Sequence, residues 1–224
     1  MASYLKNEAI VKIEETGLIP LFFHADSSVC REVASSVFIA GCQVIEFTNR
    51  GEGATRSFAS IIELARSSYP EAIVGVGSIH DAYTAAQFIA IGADFIVGPC
   101  FNEQVARLCN RHKVLYIPGC ATVTEIMAAT ELGVDLIKIF PAGSLGGPDF
   151  IKAIRGPLPW IKVIPTGGVD ATDEDLKKWF EANVFAVGLG SNLISKEILA
   201  TADYPTLKDA TARLLATIAD LRKA

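Results

Sequence analysis

Short runs rich in β-branched residues alternate with longer stretches of helical periodicity along the whole chain, and this alternation restricts the folds open to it. The runs predict eight strands, over residues 18–23, 43–48, 72–77, 95–98, 114–117, 136–140, 162–166 and 184–188. The stretches between them carry apolar residues at helical spacing, and several begin with Ser, Thr or Asp, which cap helix N-termini. They predict helices over residues 27–40, 55–67, 81–91, 103–112, 124–131 and 172–181.

Eight strands, each followed by helical chain, predict the α/β class and a (β/α)8 TIM barrel. The chain has 224 residues, and roughly 25 residues per unit would make a compact barrel. No linker or charge block divides the sequence, so a single domain over residues 1–224 is expected, with an added N-terminal helix and a final helix over 204–224. A doubly wound open sheet is the competing architecture, but no GxGxxG motif follows the first strand.

Charge and cysteine content limit the partners and the compartment. The net charge of -5 gives no support for binding to nucleic acid or to an anionic membrane. Charged residues, Gly or Pro interrupt every apolar run before it could span a bilayer, and residues 1–17 resemble an amphipathic helix rather than a cleavable signal. The five cysteines lack CxxC spacing. We therefore expect a cytoplasmic, disulfide-free protein.

A lysine occupies the middle of an otherwise apolar strand. In residues 135–141, DLIKIFP, alternation places Lys138 on the same face as Leu136 and Phe140. An ammonium group there loses solvation, so that the uncharged amine becomes available near neutral pH and can form a Schiff base with a carbonyl. The pattern also fits a structural lysine paired with a buried carboxylate, or one whose stem lies on apolar surface while its ammonium reaches water.

The second predicted strand carries a carboxylate, and an arginine follows it. Glu46 alternates with Val44 and could share the barrel interior with Lys138, acting as a general base directly or through one water. A buried ion pair without a catalytic duty is the alternative. Arg50 comes just past the strand, where its guanidinium could hold a carboxylate through two parallel hydrogen bonds, although arginines are also common in surface loops.

The third predicted strand ends in Gly75-Val76-Gly77-Ser78. Its glycines would let a ligand approach the backbone closely. The hydroxyl of Ser78 could donate to the same carboxylate as Arg50, or it could cap the following helix.

Glycine turns follow the last two predicted strands. Gly167 and Gly168 come after the seventh, and Gly188, Gly190 and Ser191 after the eighth. Such turns present backbone N–H groups to an anion, in the position where this barrel usually binds phosphate. They could also be plain turns.

The sequence offers no metal or nucleotide motif. The three histidines are dispersed, and neither HxH nor HExxH occurs, so we expect no metal. A GxSxG nucleophile elbow and a Walker-type loop are also missing.

The combination of these residues resembles the class I 2-keto-3-deoxy-6-phosphogluconate (KDPG) aldolases, also described as 4-hydroxy-2-oxoglutarate (KHG) aldolases. The resemblance extends over residues 18–191. Its most specific segments are EFTNR (46–50), GVGS (75–78), IPGC (117–120), KIFPA (138–142) and PTGG (165–168).

The resemblance implies a role for each site residue. Lys138 would form the Schiff base and Glu46 would transfer protons. Arg50 and Ser78 would hold the pyruvyl carboxylate, and Phe140 would form a wall of the pocket. The sugar phosphate would be received by Gly167, Gly168, Gly190 and Ser191. Typical members have Thr where Ser78 stands, a change that keeps the hydroxyl.

The resemblance also implies an activity and an assembly. The chain would cleave 2-dehydro-3-deoxy-6-phosphogluconate to pyruvate and glyceraldehyde 3-phosphate, and could extend to cleaving 4-hydroxy-2-oxoglutarate to pyruvate and glyoxylate. The family is typically a cytosolic homotrimer that needs no metal or organic cofactor.

Two other functions fit the same residues. One is a phosphate-binding barrel isomerase, epimerase or synthase that uses acid–base groups without a Schiff base. The other is a catalytically silent barrel that binds sugar acids. The presence of both Lys138 and Glu46 argues against the silent barrel.

Overall fold

The computed structural model describes residues 2–223 and shows the expected alternation of strands and helices. Within these residues the strands are β1 (Leu18–Phe22), β2 (Val44–Thr48), β3 (Ile73–Gly77), β4 (Phe95–Val97), β5 (Leu115–Ile117), β6 (Gly119–Cys120), β7 (Leu136–Ile139), β8 (Lys162–Pro165) and β9 (Val187–Leu189). Each predicted strand has a counterpart, whereas β6 was not predicted.

The helices in the same residues are α1 (Lys6–Thr16), α2 (Ser27–Ile39), α3 (Ala54–Ser68), α4 (Ala82–Ile91), α5 (Glu103–His112), α6 (Val123–Glu131), α7 (Gly147–Arg155), α8 (Asp173–Glu181), α9 (Lys196–Thr201) and α10 (Tyr204–Leu221). Two of them begin at the capping residue that the sequence indicates, because a side-chain oxygen there accepts a free N–H of the first turn. Asp81 caps α4 and Thr172 caps α8. The caps of α2 and α6, Asp26 and Thr122, lie one and two residues before the predicted positions. The predicted end of the last helix at residue 224 lies outside the described residues.

All strand pairs are parallel, and they form two sheets. The first is a curled sheet of six strands in the order β5-β4-β3-β2-β1-β9, and the second has three strands in the order β6-β7-β8. The closed eight-stranded barrel predicted from the sequence is therefore observed only in part. Pro118 has no N–H to donate and separates β5 from β6. At the other edge a single bridge, Thr166 to Gly188, joins β8 to β9.

The two sheets nevertheless enclose a common apolar interior. Its inward-facing residues come from both sheets and include Ile19, Val44, Ile73, Phe95, Leu115, Leu136, Ile164 and Ala186. Ala9 and Ile13 of α1 pack against the same cluster, at the N-terminal ends of the strands. A second, larger cluster fills the space between the outer faces of the strands and the helices. Helix α1 thus covers one end of the interior, and the C-terminal strand ends form the other.

Within residues 2–223, no helix combines the length and the apolar character needed to cross a bilayer.

Candidate active site

Lys138 and Glu46 both point into the enclosed interior. Lys138 lies two residues after Leu136 on β7, and Glu46 lies two residues after Val44 on β2, so each shares the face of an interior residue. Both side chains are almost fully buried, with 7% of Lys138 and 3% of Glu46 exposed. Both the amine and the carboxyl group that the sequence pairs therefore face the same enclosed interior, and the charge of Lys138 affects the pKa of Glu46.

Burial dominates the electrostatics of Glu46. Loss of solvent raises the pKa of this carboxyl, and the positive charges of Lys138 and, to a smaller extent, Arg50 oppose that rise. Its Oε1 atom is buried and has no hydrogen-bond partner among residues 2–223. A carboxyl with a raised pKa and an unengaged oxygen is suited to exchanging a proton with a substrate.

Gly77 provides the space that Glu46 occupies. It lies on β3 opposite Thr48 of β2. A Cβ atom at Gly77 would lie 1.8 Å from Glu46 Oε1, and one at Gly75 would lie 2.1 Å from the ring of Phe95. The glycines of β3 thus make room for side chains of the neighbouring strands. The sequence had instead suggested that they let a ligand approach the backbone.

We expect Gly77→Ala to lower kcat about 10-fold or more, because the new methyl group would displace the carboxylate from its position and a misplacement of about 1 Å is already costly. The matched control is Gly156→Ala, where the nearest neighbour of the new Cβ is a carbonyl oxygen at 3.3 Å. Steady-state kinetics with the thermal midpoint of each variant would check this. Equal activity of the two variants would contradict the positioning role of Gly77.

Phe140 lies directly over the lysine. The Nζ atom of Lys138 is 5.0 Å from the centroid of the Phe140 ring, within the range of a cation–π contact. In register, Lys138 lies between Gly119 of β6 and Ile164 of β8. Because Gly119 has no side chain, the amine is flanked by apolar groups and backbone.

A cavity of about 390 Å³ opens at the C-terminal ends of the strands. Of the residues predicted for the site, those that line it are Arg50, Phe140, Gly167, Gly168, Gly190 and Ser191. Lys138, Glu46 and Ser78 are not among the lining residues. Lys138 and Glu46 lie deeper, because each precedes by two residues a lining residue on the same strand face, Phe140 and Thr48 respectively.

Ser78 follows β3 in a left-handed backbone conformation with φ of 61°. This conformation is uncommon for residues other than glycine, and it concentrates at ligand-binding positions. Ser78 is not the cap of the following helix, since Asp81 accepts the N–H of Thr84 at the start of α4. The helix-cap interpretation is therefore wrong, and the carboxylate-binding role stays a prediction.

The glycine turns are held by backbone contacts and leave N–H groups free. Gly167 and Gly168 have φ of 79° and 87°, and Gly143 N–H donates to Gly167 O at 2.8 Å. The N–H groups of Gly168, Gly190 and Ser191 donate no backbone hydrogen bond within the described chain. Free N–H groups at such turns can bind an anion.

The sequence did not identify four polar residues of the cavity wall, Thr48, Thr166, Asn192 and Lys196. Thr166 is buried, and its Oγ1 atom lies 2.3 Å from the position that a Cβ atom on Gly188 would occupy. Lys196, the first residue of α9, also lines the cavity. Its only signal in the sequence was a lysine close behind a glycine turn. Among residues 2–223 no group of three or more His, Cys, Asp or Glu side chains could hold a metal ion.

Comparisons with known proteins agree with the geometry. The family model described as KDPG and KHG aldolase matches residues 9–210. The 2-dehydro-3-deoxy-phosphogluconate aldolase of Haemophilus influenzae is 28% identical over 222 residues, covering 99% of this chain and 100% of that protein. The KHG/KDPG aldolase of Escherichia coli K12 is 30% identical over 173 residues, covering 77% of this chain and 78% of that protein.

A solved structure shares the fold. The KDPG aldolase of Legionella pneumophila, with pyruvate captured as a covalent carbinolamine, has a TM-score of 0.83 at 24% identity. The superposition covers 92% of this chain and 97% of that one.

Proposed function

Because the chain belongs to the family of KDPG and KHG aldolases, we propose that it cleaves 2-dehydro-3-deoxy-6-phosphogluconate to pyruvate and glyceraldehyde 3-phosphate through a Schiff base at Lys138. It is an aldolase, a carbon–carbon lyase, which sets aside the isomerase and the silent barrel as alternatives. The observation that carries the proposed chemistry is the burial of Lys138 and Glu46, which both face the same enclosed interior.

Covalent attachment of the substrate is the first step. The Lys138 amine attacks the 2-keto carbon to form a carbinolamine, which takes up one proton from solvent and loses water to give a protonated imine. The imine nitrogen withdraws electrons from the carbon chain, so the bond between C3 and C4 is weakened. Arg50 and Ser78 would hold the substrate carboxylate while this occurs, and Phe140 would cover the reacting centre.

Cleavage requires a base. Glu46, directly or through one water, takes the proton of the 4-hydroxyl, and that oxygen forms the aldehyde carbonyl as the C3–C4 bond breaks. The bonding electrons move to the imine and leave an enamine on Lys138. Protonation of the enamine at C3 and hydrolysis of the imine then release pyruvate and restore the amine.

The far end of the substrate would lie at the glycine turns. Free N–H groups of Gly168, Gly190 and Ser191, together with Gly167, would receive the phosphate. Cleavage of 4-hydroxy-2-oxoglutarate to pyruvate and glyoxylate would use the same imine chemistry without that contact.

The wider features of the protein are part of the proposal. The two sheets would act as one closed (β/α)8 barrel and one domain, with β5 and β6 serving as a single interrupted strand. The common interior cluster and the bridge from Thr166 to Gly188 support this. The family resemblance supports a cytoplasmic homotrimer, for which light scattering would give three times the 23.9 kDa chain mass.

A pyruvate-release assay tests the proposed function. Purified protein should release pyruvate from 2-keto-3-deoxy acids in the presence of a metal chelator, because the imine serves as the electron sink. The phosphorylated six-carbon acid should be the best substrate, and 4-hydroxy-2-oxoglutarate a weaker one. Failure to release pyruvate from any of these acids would refute the proposal.

A further inference from the structure

The charged residues that line the active-site cavity are both cationic. Arg50 and Lys196 line it, and among the described residues no aspartate or glutamate does so. This contrasts with the chain as a whole, whose net charge is -5. The cavity wall is therefore locally suited to an anionic ligand.

The two cations stand on opposite sides of β1. Arg50 follows β2 and Lys196 follows β9, and the sheet order places β1 between these strands. Strands β2 and β9 are therefore two strand spacings apart, which corresponds to about 10 Å. A six-carbon chain with an anionic group at each end can span that separation.

Helix α9 directs Lys196 toward the cavity. Lys196 and Leu199 are three residues apart, so they share one face of the helix, and both line the cavity. Ser195 fixes the start of this helix by accepting the N–H of Ile198 at 3.1 Å. The helix therefore holds the lysine next to the turn that contains Gly190 and Ser191.

Lys196 has no partner elsewhere in the described residues. It forms no ion pair within residues 2–223. Lys177 and Lys178 on α8, in contrast, pair with glutamates of their own helix. The ammonium group of Lys196 is therefore free to meet a charge on the ligand.

We propose that Lys196 is a specificity-determining residue, whose ammonium group binds the phosphate of the substrate and selects phosphorylated over unphosphorylated 2-keto-3-deoxy acids. The inference rests on the proposed aldolase function and adds a residue to the backbone N–H groups of the glycine turns. A lysine binds phosphate as a point charge and contributes regardless of fine geometry. It acts on the end of the substrate away from the imine, so it affects binding rather than chemistry.

The test compares Lys196→Met and Lys196→Arg with Lys177→Met, a control that removes a lysine from the exposed surface of α8. Each protein is assayed with 2-keto-3-deoxy-6-phosphogluconate and with unphosphorylated 2-keto-3-deoxygluconate. Loss of a single charge-assisted contact in Lys196→Met should raise KM for the phosphorylated acid about tenfold. We expect kcat for both acids and KM for the unphosphorylated acid to stay close to wild type. Lys196→Arg should retain most of the affinity.

Salt provides a second readout. KM for the phosphorylated acid should rise more steeply with NaCl in the wild type than in Lys196→Met, because one screened charge pair is missing from the variant.

An unchanged KM for the phosphorylated acid in Lys196→Met would overturn the inference, as would an equal loss for both acids. A wild-type enzyme that cleaves both acids with equal efficiency would also overturn it while leaving the aldolase function intact. A wild-type enzyme that cleaves neither acid would refute the proposed function itself.

Discussion

Replacing Lys138 with methionine is expected to abolish pyruvate release, lowering kcat/KM by on the order of 10⁴-fold or more, because the covalent route is lost as a whole. Methionine keeps the length of the side chain and suits the apolar surroundings beneath Phe140. The variant should therefore fold, and its thermal midpoint should be close to that of the wild type. Lys138→Arg keeps the positive charge but cannot form an imine, so it should be equally inactive.

Chemical trapping identifies the lysine directly. Reduction with borohydride in the presence of pyruvate should add one pyruvyl group to the wild-type chain, and peptide mapping should locate it at Lys138. A matched control is Lys162→Met, since Lys162 also lies in a strand, β8, but its ammonium contacts the ring of Phe185. That variant should be labelled as the wild type is. Labelling of Lys138→Met, or a label on another lysine, would contradict the proposed role.

The faces of Lys138 and Glu46 could be predicted from the sequence because a strand has a period of two residues. Once Leu136 and Val44 are assigned to the interior, the positions two residues further along must face it as well. The positions of the predicted strands were also correct, because each strand carries its own short β-branched run. Their ends differ by up to three residues, as at β9, because ladder pairing rather than composition decides where a strand ends.

Other features depend on contacts between segments that are distant in sequence. The sequence shows Pro118, but not that it separates the pairing partners of β5 from those of β6. It shows Gly77, but not that a carboxylate of the neighbouring strand fills the space beside it. Lys196 was missed because α9 has six residues, too few for a helical pattern to be recognised.

Ser78 illustrates a choice that local sequence left open. A serine four residues before a helix can be a cap or a ligand, and both need a hydroxyl. The structure places Asp81 at the cap and gives Ser78 a left-handed backbone. The helix-cap interpretation of Ser78 is excluded by the exact start of α4, and sequence patterns locate helix ends less well than any other feature.

Glu46→Gln is expected to lower kcat by about 10²- to 10⁴-fold, the usual contribution of a general acid–base group. The amide keeps the shape of the carboxyl but cannot accept the 4-hydroxyl proton. Imine formation at Lys138 should persist, so borohydride trapping with pyruvate should still label the variant. Loss of the label together with loss of turnover would indicate that Glu46 is needed for attachment rather than for cleavage.

The pH dependence follows from the raised pKa of Glu46. In the cleavage direction the ionised carboxylate is the active form, so wild-type kcat/KM should fall as pH decreases through that pKa. The midpoint should lie above the value of about 4.3 found for an unperturbed glutamate. The residual activity of Glu46→Gln should lack this acidic limb, whereas Glu63→Gln, at an exposed position of α3, should keep it.

The same shift predicts that removing this charge stabilises the protein. A carboxyl whose pKa is raised by folding contributes stability that is present below its unfolded pKa and is lost as pH rises through the folded pKa. Glutamine does not titrate, so Glu46→Gln should unfold at a higher temperature than the wild type at pH 8, and the two should converge as pH is lowered toward about 4. Equal thermal midpoints of Glu46→Gln and the wild type at pH 8 and at about pH 4 would show that ionisation of the buried carboxyl does not destabilise the fold. A higher midpoint at pH 8 with lost turnover would mean that Glu46 is held ionised in this interior at the expense of stability, for the reaction it serves.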